Sequence, residues 1–125
     1  MINHSLIFRV SAIAEVATGL ALLTAPLLVA TLLLGDGLGP TGVAIARIMG
    51  VALISVGISA WESPGVDIRR APRAGLCFYN VGAAIAFVLY GTFSDMDGML
   101  LWPAAVLHTL MGAAMLWALT LPKKI

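Results

Sequence analysis

Hydrophobic residues fill four long stretches of this 125-residue chain, and short polar segments separate them. A helix needs about 20 mostly apolar residues to cross the roughly 30 Å hydrocarbon layer of a bilayer, and each stretch is about that long or longer. The pattern predicts an all-α, polytopic membrane protein with a single transmembrane domain over residues 1–125, folded as a four-helix, up-down-up-down bundle. The predicted spans cover residues 5–34, 41–61, 73–93 and 99–121.

The first span is longer than one crossing needs, and it contains Pro26. Proline removes a backbone hydrogen bond and clashes with the preceding turn, so we expect a kink or a break between Thr24 and Pro26. Two placements stay open for residues 27–34. They finish the crossing at a tilt, or they lie near the outer interface.

The charged residues near the span ends predict how the protein is oriented. Short connections rich in turn-forming residues make consecutive helices antiparallel neighbours. Basic residues then collect on one side, at Arg9, Arg69, Arg70, Arg73, Lys123 and Lys124. The loops on the other side carry only acidic charges, at Asp36, Asp95 and Asp97. Because Lys and Arg favour the cytoplasmic side, we expect a multi-pass protein of the bacterial inner membrane with both termini in the cytoplasm.

Composition supports a membrane protein and excludes several functions. The chain is 61% hydrophobic and 10% charged, with a mean hydropathy of +1.04, whereas soluble domains are near half apolar and a quarter charged. A net charge of +1 with scattered basic residues gives no nucleic-acid surface. The sequence has no nucleotide-binding glycine loop, nucleophile elbow or HExxH motif, so hydrolase or NTPase chemistry is not expected.

At membrane depth, away from the span ends, each predicted span contains one strongly polar residue: Glu15, Arg47, Asn80 and His108. With a rise of about 1.5 Å per residue, the alternating topology brings all four into a band around the bilayer midplane. Ionisable residues inside a membrane are costly and suggest a functional site. We therefore predict a binding site or a proton pathway that contains these four residues together with Ser11, Thr18 and Tyr79.

Glu15 and Arg47 are the first predicted pair, on adjacent antiparallel helices, and Ser11 and Thr18 share the helix face of Glu15. An ion pair between Glu15 and Arg47 has two interpretations. It is a structural bridge that only fixes helix register, or Arg47 tunes the affinity of the Glu15 carboxylate for a proton or a substrate.

His108 and Asn80 are the second predicted pair, meeting across the second helical hairpin with Tyr79 or Thr109 nearby. A structural histidine with satisfied hydrogen bonds and a ligand or proton contact are both open interpretations. No cofactor is identified, and no haem or metal site is evident. His108 has no opposed axial partner for haem, and Glu15 with His108 is an incomplete set of metal ligands.

Two resemblances to known families start from these residues. The stretch AIAEVATG at residues 12–19 resembles the first helix of small multidrug resistance transporters, which implies a proton- or cation-binding role for Glu15. Most of the chain is similar to DoxX-like small four-helix bacterial membrane proteins, through ARIMG at 46–50, FYNVG at 78–82 and the segment 102–112. That resemblance implies an internal polar pocket and association with quinone-linked or thiol-redox membrane systems.

The favoured function is a membrane protein whose midplane polar pocket binds a small molecule, such as a quinone or a lipid-like compound, or conducts protons. One alternative is an accessory subunit of a larger membrane complex, in which the polar residues are internal glue. The other is a small proton-coupled transporter that works as a homodimer. Enzymatic activity is not favoured.

Overall fold

The structure, a computed structural model, describes residues 4–61 and 70–120, with only the backbone of His4, Ser5, Arg70 and Ala71. These residues form five helices: α1 (His4–Thr24), α2 (Pro26–Leu34), α3 (Pro40–Ser59), α4 (Arg70–Phe93) and α5 (Leu101–Thr120). Four of them, all except α2, are long and apolar enough to span a membrane. The connection between the second and third predicted spans, over residues 62–69, and the basic residues 123 and 124 lie outside the described residues.

The long helices pack as two antiparallel pairs, α1 with α3 and α4 with α5. The α1 and α4 helices run in the same direction, since Phe8 lies beside Arg73 and Ser11 beside Asn80. The predicted all-α, up-down-up-down arrangement is therefore confirmed. We call the end with Arg9 and Arg73 the arginine end, and the end with the three aspartates of residues 36, 95 and 97 the aspartate end.

Glycine residues allow the backbones of α1 and α3 to pack in direct contact. A Cβ atom added to Gly50 would lie 2.6 Å from the carbonyl oxygen of Gly19, and one on Gly57 would lie 2.7 Å from the carbonyl oxygen of Ala12. Small residues at such contacts let membrane helices pack closely. This contact fixes which face of α3 is turned towards α1.

The first predicted span is broken at Ala25, as the proline predicts. Ala25 has φ −137° and ψ 57°, and Pro26 begins α2. The α2 helix then packs at the aspartate end, where the backbone N–H of Leu100 donates to the carbonyl oxygen of Leu32 over 2.8 Å. Its last turn ends at Gly35, whose φ of 83° suits glycine. The break thus turns the chain towards the start of α5.

A fully apolar core joins all four spans near the arginine end. Its buried members come from α1, α4 and α5 and from Ala60, just after α3: Phe8, Ala60, Leu76, Cys77 and Met115. Cys77 and Met115 are packing residues of this core. Most large apolar side chains outside this core are exposed on the bundle surface. So large an apolar exterior, on helices long enough to cross a bilayer, is typical of a surface that faces lipid.

Candidate functional site

Asn80 is the centre of the polar cluster inside the bundle. Its side chain is 1% exposed, and its Nδ2 group donates to Ser11 Oγ and to the Leu76 carbonyl oxygen, each over 3.0 Å. Its Oδ1 atom lies 3.0 Å from Nδ1 of His108. One amide therefore links α1, α4 and α5 through hydrogen bonds, which are costly to lose where no water replaces them.

Glu15 lies behind Asn80, in the interface between α1 and α4. The carboxyl group belongs to a side chain that is 2% exposed, and Oε1 lies 3.5 Å from Asn80 Nδ2. The Tyr79 hydroxyl faces the same carboxyl group. Glu15 and Ser11 are buried inside the bundle, so a ligand cannot contact them directly. It can contact only the more exposed residues of the cluster.

The hydrogen-bond pattern fixes the orientation of the Asn80 amide. Flipping the amide would place Oδ1 against the Leu76 carbonyl oxygen and the Glu15 carboxyl group. A carbonyl oxygen only accepts hydrogen bonds, so the flipped amide would lose a donor and gain a repulsive contact. Oδ1 therefore points to His108, and Nδ1 of that imidazole carries the hydrogen that Oδ1 accepts.

The His108 ring contacts two aromatic side chains of α4. Tyr79 meets it edge-on, with ring centroids 5.7 Å apart and an interplanar angle of 82°. Phe87 also contacts the ring, in a tilted arrangement, with centroids 5.6 Å apart and an interplanar angle of 32°. With Nδ1 bonded to Asn80, the ring has little freedom to turn. Nε2 has no hydrogen-bond partner within the described part of the chain.

A groove of about 400 Å³ runs between α4 and α5 on the outside of the bundle, and His108 forms part of its wall. Apart from His108 and Thr109, the lining is apolar: Val81, Ala84, Ile85, Val88, Leu89, Gly112, Ala113 and Leu116. Thr109 bonds its own helix, through the carbonyl oxygen of Ala105 at 2.7 Å. A concave apolar surface with one oriented polar group is the usual form of a small-molecule site.

Arg47 corrects one prediction from the sequence. It is exposed on the outer face of α3, whereas Glu15 is buried, and no ion pair joins the two among the described side chains. The reason is helical phase. The α3 face that contacts α1 is set by Gly50, Leu53 and Gly57, and Arg47 lies roughly a quarter turn away from its centre.

The other predicted site residues divide between the cluster and its edge. Ser11, Tyr79, Asn80 and His108 belong to the cluster with Glu15. Thr18 is half-buried one turn beyond Glu15 and has no hydrogen bond to the cluster among the described residues. The predicted contact between Asn80 and His108 is confirmed.

The sequence pattern did not predict the groove or the contact between His108 and Phe87. Apolar lining residues carry no chemical signal of their own. Small residues on α4 and α5 were the available clue, because they leave room between the helices: Ala84, Gly112 and Ala113.

The fold and the cluster define a multi-pass, all-helical membrane protein with a buried polar centre. Comparison with known proteins found no matching family model, no matching curated protein and no matching solved structure.

Proposed function

We propose that this protein binds a small, largely apolar molecule from the bilayer in the groove between α4 and α5. The observation that carries the proposal is the orientation of His108. A buried amide and two aromatic rings hold this imidazole at the wall of an apolar groove. Fixing a polar group in advance lowers the entropic cost of binding.

The cluster fits a role in holding a ligand better than a role in conducting protons. Asn80 stands between the Glu15 carboxyl group and the His108 imidazole. A side-chain amide donates and accepts hydrogen bonds but does not exchange protons readily, in contrast to histidine or a carboxylic acid. Glu15, Ser11 and Tyr79 therefore act as the support that keeps Asn80 and His108 in place.

The resemblance to DoxX-like proteins suggests a ligand of the quinone or lipid-like type. An apolar groove that opens on the outside of the bundle is suited to a molecule that diffuses within the membrane. The same resemblance favours a bacterial inner membrane, and the positions of Arg9 and Arg73 at one end and of the aspartates at the other favour an arginine end in the cytoplasm. A homodimer or a larger complex is compatible with this site.

Filling the groove should remove the bound molecule. We expect Ala113→Trp, which places a large ring among the lining residues, to abolish co-purification of small molecules that wild-type protein retains in lipid nanodiscs. Native mass spectrometry measures the bound species directly. The matched control is Ala52→Trp, at an exposed position on α3 outside the groove.

The two variants decide the proposal together. Loss of the bound species in Ala113→Trp with retention in Ala52→Trp supports it. An identical set of bound species in wild type and both variants, or none in wild type, contradicts it.

A further inference from the structure

We infer that the groove selects a ligand that donates a hydrogen bond, such as the hydroxyl group of a long-chain phenol or alcohol, to Nε2 of His108. This inference rests on the proposed function and names the chemical class of its ligand. It follows from the way in which the polar cluster orients one amide and one imidazole.

The neighbours of the Asn80 side chain determine which way its amide points. Its Nδ2 group has the Leu76 carbonyl oxygen as an acceptor at 3.0 Å, and that oxygen cannot act as a donor. Ser11 Oγ at 3.0 Å and Glu15 Oε1 at 3.5 Å lie on the same side. The amide therefore presents its oxygen, an obligate acceptor, to His108.

The orientation of the Asn80 amide determines the tautomer of His108. An imidazole nitrogen that faces an obligate acceptor over 3.0 Å carries hydrogen, so Nδ1 is the N–H of the ring. In the neutral ring the other nitrogen then has a lone pair and no hydrogen. Nε2 is an acceptor, and it is the nitrogen that Asn80 does not occupy.

The surroundings of the His108 side chain are mostly apolar. The groove that His108 helps to line has almost entirely aliphatic walls, and the only other polar side chain among its described lining residues, Thr109, donates to its own helix. A polar group in an apolar site strongly disfavours partners that leave it without a hydrogen bond. A hydroxyl group satisfies Nε2, whereas an ether or a carbonyl group presents a second acceptor and repels it. Among quinone-type ligands, the reduced form with its hydroxyl groups is therefore favoured over the oxidised form.

Nitrogen-15 NMR of histidine tests the tautomer. The chain has two histidines, so a His4→Gln background leaves His108 as the only signal. In phosphatidylcholine nanodiscs, we expect Nδ1 to be protonated and Nε2 to be unprotonated. Protonation of Nε2 with a bare Nδ1 overturns the inference.

Binding of two matched probes tests the ligand class. Direct binding of 4-decylphenol and of its methyl ether, 4-decylanisole, is measured in the same nanodiscs. We expect the phenol to bind several-fold to about tenfold more tightly, as one hydrogen bond implies, and to shift the Nε2 resonance. In His108→Phe, which keeps an aromatic ring, both probes should bind with similar affinity.

The outcomes separate this inference from the proposed function. Equal affinity of the two probes for the wild-type groove, each lost in Ala113→Trp, overturns only the preference for a donor. If neither probe binds, or if Ala113→Trp binds both as wild type does, then ordinary lipid chains or a second copy of this chain cover the groove. That result contradicts the proposed function as well.

Discussion

Gly50→Val is expected to cost about 3 kcal/mol or more of unfolding free energy, towards the upper end of the range for overpacked sites. A Cβ atom at Gly50 meets the carbonyl oxygen of Gly19 at 2.6 Å, well inside van der Waals contact. The obstacle is backbone, so no side-chain rotation relieves it. The two helices must separate, and their contact over Gly57 is lost with it. Steric trapping in bicelles measures this free energy.

The matched control for this change is Gly82→Val in α4. A Cβ atom at Gly82 meets nothing within 4 Å, and the residue is exposed. The same chemical change there should alter the unfolding free energy by less than about 1 kcal/mol, the scale of helix propensity. Equal losses at the two positions would show that the close contact between α1 and α3 is not present in the folded protein.

Asn80→Leu should destabilise the protein by about 2–4 kcal/mol. The change removes donors to Ser11 and Leu76 and the acceptor for His108 while keeping the branched shape of the side chain. Hydrogen bonds between membrane helices contribute about 0.6 kcal/mol each on average, up to about 1.7. The groups left unpaired in the buried interface add to the loss. Steric trapping measures this free energy too.

Arg47→Gln is the control for Asn80→Leu, and it separates two accounts of the cluster. Because Arg47 is exposed on α3 and has no ion pair with Glu15 among the described residues, we expect a change within about 0.5 kcal/mol. Breaking a buried ion pair would instead cost about 3–5 kcal/mol. A loss of unfolding free energy of that size in Arg47→Gln would show that Arg47 and Glu15 do form the ion pair that the sequence alone suggests.

Hydropathy and proline chemistry were enough to predict the fold. Spans are long runs of apolar residues, which any packing arrangement preserves, and Pro26 breaks a helix wherever it occurs in the interior. The structure accordingly has four long apolar helices and a break at Ala25. Short turns between the first and second spans and between the third and fourth made the antiparallel pairs predictable as well.

The candidate site was predictable in part. Depth along the bundle brought Asn80 and His108 together correctly, because both lie on one antiparallel hairpin. Arg47 was misplaced because depth does not determine which way a side chain points. A long side chain with its Cβ tilted towards the helix N-terminus can instead reach the nearer interface, here the aspartate end. The groove depends on how α4 and α5 lie side by side, which apolar residues alone do not reveal.

Photolabelling tests most directly the claim that the groove beside His108 is a binding site. A 4-decylphenol analogue with a diazirine on its alkyl chain is irradiated with the protein in nanodiscs, and the labelled peptides are mapped by mass spectrometry. The account predicts labels on groove residues such as Ile85, Leu89 and Leu116, suppressed by excess unlabelled 4-decylphenol. Labels spread evenly over exposed apolar residues, with Ile48 and Val51 of α3 marked as strongly and no competition, would contradict it.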